Sequence, residues 1–434
     1  MMRIVLFTLF LFLTTALSAN PYWEAIAAGD YEKASAEGMK LAEQQVEYLY
    51  LSAVADQFRF AYDEYYNKKE YFLELTQGDL QGLQSLLATT GSPENANACN
   101  IYGFISLTLE GISLDAPISY FEKSLSLTEE NPFAYNYTAF IAISDERYDD
   151  GISEAIKAIT LMPALPEAYN NLAYAYSQVG EEALAQQTLI TCLARCPKNT
   201  LSTYYNLMHF ACEETVIMID SAMVSGPGFE SDEVREQVVE ALSPYPANMI
   251  DFASAFTSYQ GYQEAALLLA AVKPQEELHG RYYYERGVLA VRTGQKEAIN
   301  DAFAELLAKD NFPAALDIAY EVYGTQDFDL MLRLLRRLQP LADTEEEKMQ
   351  VNSNIGTVYL QQGEYIKAIS VFESVLEYAP KDDITLTNLG ISWHLAGDNE
   401  KALSYLSRAQ EYVQSEEQAA SITRWLQAVR EAGD

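Results

Sequence analysis

The stretch of sequence that decides the fold covers residues 349–380 and reads MQVNSNIGTVYLQQGEYIKAISVFESVLEYAP. A second stretch, residues 166–197, follows the same plan and reads PEAYNNLAYAYSQVGEEALAQQTLITCLARCP. Both place a small residue, an aromatic residue, a glycine, an alanine and a proline at the same offsets. These residues are Gly356, Tyr359, Gly363, Ala368 and Pro380 in the one stretch and Ala173, Tyr176, Gly180, Ala185 and Pro197 in the other. Apolar residues recur every three or four positions on both sides of the glycine, which predicts two amphipathic helices joined by a turn.

The glycine and the proline of each copy predict where its helices end. Gly363 suits the end of the first helix, because glycine adopts the left-handed backbone conformation without strain. Pro380 ends the second helix. Small residues such as Gly356 and Ala368 let the two helices approach closely, and a large residue such as Phe372 fills the space between neighbouring pairs. Since a single pair cannot bury its own apolar face, the pairs are expected to stack.

Two further copies keep this spacing. Residues 383–416 repeat it with Gly390, Trp393 and Gly397, and residues 132–165 repeat it with Ala139. The joint pattern resembles the tetratricopeptide repeat family, whose unit is about 34 residues long. The resemblance implies an all-α fold: a right-handed superhelical solenoid of stacked antiparallel helix pairs, closed by a C-terminal capping helix.

The repeats also predict the domain organisation. The predicted order is a signal peptide over 1–19, degenerate helical repeats over 20–131, two repeat copies over 132–199, divergent helical hairpins over 200–348, two repeat copies over 349–416 and a capping helix over 417–434. The run Ser-Gly-Pro-Gly at residues 225–228 predicts a loop between a helix that ends near Val224 and one that starts near Ser231. Gly-Ser-Pro at residues 91–93 predicts a second break.

The first residues of the chain have the order of an export signal. A basic start that includes Arg3 precedes an almost wholly apolar run at residues 4–13, and small residues follow up to Ser18 and Ala19. This order is typical of a signal peptide cleaved after Ser18 or Ala19, so we expect a periplasmic or extracellular protein. The alternative is a short uncleaved anchor that would hold the protein at a membrane. The apolar run is shorter than the roughly 20 residues that span a bilayer comfortably.

The composition excludes some classes of partner. The 434-residue chain carries 28 Lys and Arg against 63 Asp and Glu, for a formal net charge of −35, and 49% of its residues are apolar. The apolar content is sufficient for a packed core. The negative charge argues against nucleic acid and against anionic lipid, since both require a basic face. It favours protein or peptide partners, and basic ones in particular.

Three cysteines and a histidine allow three interpretations. Cys192, Cys196, His209 and Cys212 have the spacing C-x3-C-x12-H-x2-C, and four such groups can hold zinc. Buried free thiols are the second interpretation, because free cysteine is often a core residue. A Cys196–Cys212 disulfide is the third, since export favours disulfides. Our prediction is plain core thiols, with no metal and no cofactor site.

The resemblance places the ligand groove on the first helix of each pair. The positions that face this groove are Asn136, Phe140 and Ile143, then Asn170, Tyr174 and Ser177, then Ser353, Thr357 and Leu360, and finally Thr387, Ile391 and His394. Some family members clamp a peptide carboxylate there with Lys and Asn, but no lysine occupies these positions. Asn171, Asn354 and Asn388 lie at a position where the family often has asparagine, and we assign them to the scaffold.

Two clusters in the divergent region are candidate sites of another kind. Arg333, Arg336 and Arg337 are spaced to share one helix face, where they would either bind an anion or pair with nearby acids. Three consecutive tyrosines at residues 282–284 would form a stacking surface or pack inside the repeats. They support a rival hypothesis, in which helical repeats at residues 200–345 frame a pocket for an exported solute- or glycan-binding protein.

The sequence contains no motif for catalysis. It lacks the HExxH pattern, phosphate loops and any recognisable Ser/His/Asp arrangement. The leading hypothesis is therefore an exported, non-enzymatic scaffold that binds a peptide or a protein surface along the concave face of stacked helix pairs. The sequence does not predict an oligomeric state.

Overall fold

The computed structural model describes residues 21–42, 51–52, 54–55, 94–108, 115–197, 201–219, 222–273, 275–413 and 415–432. Over these residues the chain forms 21 α-helices and one two-stranded sheet. The all-α class predicted from the repeats is confirmed. The predicted signal peptide and the predicted break at residues 91–93 lie outside the described residues.

The chain divides into two compact units. Unit 1 comprises residues 1–215 and 227–255, and unit 2 comprises residues 216–226 and 256–434. The helices of unit 1 are α1 (Pro21–Ala27), α2 (Tyr31–Ala42), α3 (Ala96–Thr108), α4 (Asp115–Leu127), α5 (Pro132–Ser144), α6 (Tyr148–Leu161), α7 (Pro166–Gln178), α8 (Glu182–Arg195), α9 (Leu201–Ala211) and α10 (Asp232–Leu242). The next helix, α11 (Pro246–Ser258), begins in unit 1.

Unit 2 continues the series of helix pairs. Its helices are α12 (Tyr262–Ala271), α13 (His279–Arg292), α14 (Lys296–Ala308), α15 (Phe312–Tyr323), α16 (Phe328–Leu338), α17 (Glu345–Gln361), α18 (Tyr365–Leu376), α19 (Asp383–Leu395), α20 (Asn399–Tyr412) and α21 (Glu416–Glu431). Consecutive helices pack against each other from α3 to α9 in unit 1 and from α12 to α21 in unit 2. No helix among the described residues combines the length and the apolar character needed to cross a bilayer.

The turns inside several described pairs have a left-handed residue at the predicted position. Gly363 has a φ of 77°, and the next amide, that of Glu364, donates to the carbonyl of Tyr359 at 2.9 Å, which closes helix α17. The degenerate copies keep this geometry without glycine, since Glu146 and Gln326 both have a φ of 61°. The turn is therefore conserved in shape where the sequence signal is lost.

Close packing within a pair explains the small residues of the repeat. A Cβ atom at Gly356 would lie 2.5 Å from the ring of Phe372, which is fully buried between α17 and α18. At the end of unit 2, α21 places Ile422, Leu426 and Val429 against the last pair. Helix α21 thus covers the apolar side of that pair, as expected of a capping helix.

The structure of residues 212–229 differs from the predicted helix and loop. They form strands β1 (Cys212–Ile219) and β2 (Ala222–Phe229) of a two-stranded sheet. The strands are antiparallel, because two intervening residues are too few for a parallel crossover. The prediction of a helix up to Val224 and a loop at residues 225–228 was wrong. Pro227 is tolerated because each strand of such a sheet is an edge strand. A Cβ atom at Gly228 would lie 2.6 Å from Cγ2 of Thr215.

Candidate functional site

Three successive first helices of unit 2, α15, α17 and α19, together line a groove of about 590 Å³. The lining residues are Leu316, Asp317, Tyr320 and Tyr323 from α15, Met349, Gln350, Ser353, Asn354 and Thr357 from α17, and Asp382, Ile384 and Asn388 at the start of α19 and along it. On α17 four of these residues are spaced at i, i+3, i+4 and i+7, which places them on one helix face. We refer to this surface as the unit 2 groove.

The repeat brings one position of each helix to the groove. Ile318, Ile355 and Leu389 are the buried core residues of the three helices. The residue that precedes each of them lines the groove, and these residues are Asp317, Asn354 and Asn388. The groove therefore has a row of one carboxylate and two amides along its length.

The amides of this row are free to bind. Among the described residues, no side chain or backbone group makes a hydrogen bond to the side-chain amide of Asn354 or Asn388, and the same holds for Gln350. Each amide offers both donors and an acceptor. A peptide main chain offers the complementary groups at every residue. The two hydroxyl residues of α17 differ, since Ser353 Oγ lies 3.2 Å from Thr385 Oγ1 and Thr357 Oγ1 donates to the Ser353 carbonyl at 2.9 Å.

The α15 side of the groove combines aromatic rings with a carboxylate. Tyr320 is 62% exposed and Tyr323 is 36% exposed, and their rings are stacked at 6.5 Å and 28°. Asp317 lies three residues before Tyr320 and makes no ion pair among the described residues. At the other end, Asp382 Oδ2 accepts from the Thr385 amide at 2.8 Å and caps α19. The lining contains no Lys, Arg or His.

The carboxylate of Asp317 affects a tyrosine side chain on a neighbouring helix. Tyr284 of α13 has a raised pKa, first because it is partly buried and then because the carboxylates of Glu321 and Asp317 disfavour its phenolate. The α15 end of the groove thus carries the carboxylate of Asp317.

The groove residues predicted from the sequence divide into two sets in unit 2. Ser353 and Thr357 line the groove. The other four are not among its lining residues, and they are Leu360, Thr387, Ile391 and His394. Thr387 Oγ1 donates to the Asp383 carbonyl at 2.6 Å, and His394 Nδ1 lies 2.8 Å from Asn399 Oδ1. Both side chains therefore have partners on or next to their own helix.

In unit 1 the asparagine side chains that were predicted to bind a partner make hydrogen bonds to other side chains of the same unit. Asn136 is only 4% exposed, and its side-chain carbonyl accepts from Asn171 Nδ2 at 2.9 Å. Asn170 Nδ2 donates to Thr203 Oγ1 at 3.1 Å, and Asn170 Oδ1 accepts from Asn206 at 3.2 Å. The predicted partner-binding role of Asn136 is therefore corrected. Its side chain forms a hydrogen bond between repeats, because the next helix covers it.

The aromatic residues of unit 1 that were predicted to face the groove lie at the surface. Phe140 is 45% exposed and Tyr174 is 47% exposed, and they occupy the same position of neighbouring pairs. Ser177 Oγ donates to the Tyr174 carbonyl at 2.7 Å, and Ile143 is buried. Unit 1 thus presents rings on its first helices, while its asparagines bond to one another.

The α15 face and the two free amides are not predicted from the sequence. The repeat pattern assigns Asn354 and Asn388 to the scaffold, whereas both line the groove. The signal for α15 was present, since the offsets used for the better copies, applied from Ile318 and Ala319, select Leu316, Tyr320 and Tyr323. That copy lacks the turn glycine and has Gln326 in its place, so its register was not apparent.

The cysteines form no disulfide in the structure. Cys192 and Cys196 are buried, with their sulfur atoms 3.7 Å apart, whereas a disulfide needs about 2.05 Å. The Cys196–Cys212 disulfide is not formed. Burial raises the pKa of the Cys192 thiol well above its ordinary value, and the neighbouring Cys196 adds to this effect. Over the described residues, no three His, Cys, Asp or Glu side chains gather as a metal site would require.

The two clusters behind the rival hypothesis make contacts with side chains of unit 2. Tyr282 is buried, and Arg286 lies over the rings of Tyr282 and Tyr283 at 5.6 Å from each centroid. Arg336 donates to the Tyr359 hydroxyl at 2.5 Å, and Arg337 lies over the Phe303 ring at 4.7 Å. Arg286, Arg336 and Arg337 thus have partners on neighbouring rings while they remain exposed to solvent.

A family model described as tetratricopeptide repeat matches residues 166–199 and 350–382. These are the two stretches in which the small residue, the aromatic residue, the glycine, the alanine and the proline share their spacing. The chain is a tetratricopeptide-repeat protein. The solved structures similar to this tetratricopeptide-repeat protein include yeast Tom70, at 13% identity and a TM-score of 0.33, with 78% of this chain and 96% of that chain covered.

Two other solved structures are similar over different lengths. MamA of AMB-1 is 21% identical with a TM-score of 0.29, and 40% of this chain and 96% of that chain are covered. YrrB, described as a TPR protein with an unusual peptide-binding site, is 14% identical with a TM-score of 0.21, and 70% of this chain and 97% of that chain are covered. No curated protein matches the sequence of this chain.

Proposed function

We propose that this tetratricopeptide-repeat protein is an interaction scaffold that binds an extended peptide segment of a partner protein in the unit 2 groove. The observation that carries the proposal is the pair of amides of Asn354 and Asn388, which line the groove without a hydrogen-bond partner among the described residues. They lie on rigid helices, so a bound main chain would gain hydrogen bonds at little ordering cost.

The apolar lining supports the same function. Leu316, Met349 and the 52% exposed Ile384 accompany the polar row. Burial of apolar surface supplies affinity, whereas amide hydrogen bonds fix the orientation of a ligand. The proposal requires binding alone. The lining residues include no Cys, Lys or His, which are the side chains that most often act as nucleophile or base at neutral pH.

Site-directed photo-crosslinking tests the location. Peptides would first be selected on the unmodified protein from a random display library. A benzophenone amino acid would then replace Tyr320, which is in the groove, or Ile366, which is 69% exposed on α18 and outside the groove lining. We expect the selected peptides to crosslink from position 320 and not from position 366. Equal crosslinking from both positions, or crosslinking from position 366 alone, would contradict the proposal.

We further propose that the protein is exported to the periplasm or the extracellular space after removal of residues 1–19. The basic, apolar and small-residue order of this segment supports the proposal. Terminal sequencing by mass spectrometry of the protein from fractionated cells tests it. A mature chain that starts at Ala19 or Asn20 outside the cytoplasm is expected, and an intact Met1 in the cytoplasmic fraction would refute it.

A further inference from the structure

We propose that the unit 2 groove selects a peptide segment that carries an arginine, whose guanidinium pairs with Asp317 and stacks on Tyr320. This inference rests on the proposed function, because it takes the groove to be the peptide site and names the side chain that the groove recognises. It commits to one occupant, an extended peptide with a cationic side chain at the α15 end.

The arrangement of α15 suits a cation. Asp317 and Tyr320 are three residues apart and therefore adjacent on the helix surface. Both line the groove, together with Tyr323, whose ring stacks on that of Tyr320. A cation placed at this end would meet a carboxylate without an ion-pair partner among the described residues and the face of an exposed ring. Tyrosine rings attract cations through their negative faces.

Charge complementarity supports the same occupant. The lining has two carboxylates, Asp317 and Asp382, and no positively charged side chain. Acidic segments and free peptide carboxyl ends would therefore be repelled, and a basic segment would be attracted. Asp317 occupies the position that holds an amide, Asn354 or Asn388, on the next two helices. The charge thus distinguishes the first helix of the row from the other two.

Arginine fits this site better than lysine. A guanidinium is planar, so it can stack on the Tyr320 ring and at the same time present two N–H groups to the Asp317 carboxylate. An ammonium is a compact and strongly hydrated charge that cannot do both in one plane. The site is therefore expected to favour arginine over lysine and to reject the neutral isostere of arginine, citrulline.

Defined peptide pools test the inference. The probes are fluorescent octapeptides, blocked at both ends, with Arg, Lys, citrulline or Glu at one fixed position and Ala, Ser, Leu or Tyr at random elsewhere. Their affinities for the full chain would be measured by fluorescence anisotropy. The arginine pool should bind about tenfold more tightly than the citrulline pool, as expected of a charge-assisted contact. The lysine pool should fall between these two, and the glutamate pool should bind most weakly.

Two variants of equal charge locate the effect. Asp317→Asn gives the first helix the same residue type as the other two helices and should reduce the arginine preference to about twofold or less. Asp301→Asn, on the exposed face of α14 and outside the groove lining, removes the same charge and should leave the preference intact. Thermal unfolding of both variants should match that of the unmodified protein.

The possible results separate this inference from the proposed function. The inference is overturned if the citrulline, lysine or glutamate pool binds as well as the arginine pool, or if Asp317→Asn has no more effect than Asp301→Asn. In those cases the peptide site itself stands, provided that replacing Asn354 and Asn388 with alanine weakens binding of all pools. If no pool binds, or if that double variant binds every pool unchanged, both the inference and the proposed function fail.

Discussion

One position of the repeat is occupied by Asn171 in unit 1 and by Asn354 and Asn388 in unit 2, yet these side chains have different roles. Asn171 donates to both the side chain and the backbone carbonyl of Asn136, at 2.9 and 3.2 Å. Asn354 and Asn388 make no side-chain hydrogen bond among the described residues and line a groove. The same residue is thus a bond between repeats in one unit and an open binding group in the other.

The preceding helix decides which role the asparagine takes. Asn171 finds an amide, Asn136, on the first helix of the preceding pair. The matching residue before Asn354 is Leu316, which has no polar group, and the one before Asn388 is Ser353, whose hydroxyl lies beside Thr385. The comparison teaches that an asparagine of the repeat is free to bind when the helix before it offers no partner.

Removal of both free amides should have the largest effect on binding. We expect Asn354→Ala combined with Asn388→Ala to weaken peptide binding by about thirtyfold, because hydrogen bonds worth about 2 kcal/mol together are lost. The unfolding temperature should not change, since neither amide has a hydrogen-bond partner among the described residues. Titration calorimetry and thermal unfolding measure the two quantities.

A matched control for this experiment lies on α14. Asn300→Ala removes a half-buried asparagine whose amide donates to the Lys296 carbonyl of its own helix, outside the groove lining. Its affinity for peptide should equal that of the unmodified protein. A double variant that loses stability but not affinity would mean that the two amides belong to the scaffold.

The same substitution in unit 1 should have the opposite result. Asn171→Ala leaves the side-chain carbonyl of the buried Asn136 without its donor, which costs about 1–2 kcal/mol of stability. Affinity for a peptide in the unit 2 groove should be unchanged. Denaturant unfolding checks the first expectation and calorimetry the second. Equal stability of Asn171→Ala and the unmodified protein would show that the Asn136–Asn171 bond contributes nothing.

A single change in unit 2 should make it resemble unit 1. Leu316→Asn places an amide where unit 1 has Asn136, so Asn354 gains a partner and becomes less available to a ligand. We expect about fivefold weaker peptide binding, which corresponds to about 1 kcal/mol for one hydrogen bond. Leu316→Ala controls for the lost side chain, because it supplies no partner. If Leu316→Asn and Leu316→Ala bind equally, the preceding helix does not decide the role of Asn354.

The periodic parts of the molecule could be predicted from the sequence. The spacing of Gly356, Gly363 and Pro380 predicted two helices, the turn between them and their close contact, because each of these features is determined by local backbone geometry and residue size. The hairpin at residues 212–229 could not be found in this way. Gly226 and Pro227 are typical of loops, and their tolerance in a strand depends on that strand being at an edge.

The binding side of the groove could be predicted only in part. The repeat offsets selected Ser353 and Thr357, which line the groove, but not Asn354, because whether an asparagine is free depends on its neighbour in the preceding pair. The repeat offsets do not take the residue type of that neighbour into account. With the partner rule derived from Asn136 and Leu316, the same sequence would indicate that Asn171 is bonded and Asn354 is free.

The smallest expected effect concerns neutral and charged helix caps. Asn131 and Ser231 cap α5 and α10 of unit 1 with neutral side chains, whereas Asp327 and Asp398 cap α16 and α20 of unit 2 with carboxylates. The Lys296 ammonium, followed by the Leu330 amide, lowers the pKa of Asp327. The Lys401 amide, followed by its ammonium, lowers the pKa of Asp398. The carboxylates of these caps are thus stabilised in the folded state.

Acid should therefore weaken the caps of α16 and α20 and leave the neutral caps of α5 and α10 unaffected. Because the folded pKa values of Asp327 and Asp398 are depressed, the unfolded chain binds more protons, so their contribution is complete above the unfolded pKa of about 4 and is lost as the pH falls through the folded values. Asp327→Asn with Asp398→Asn keeps a capping side chain but removes both charges. We expect this variant to unfold at a slightly lower temperature than the unmodified protein at about pH 7, and this difference should shrink as the pH falls below about 4. Thermal unfolding followed by circular dichroism measures this convergence, and a constant difference across that range would mean that the charges of the two caps do not contribute.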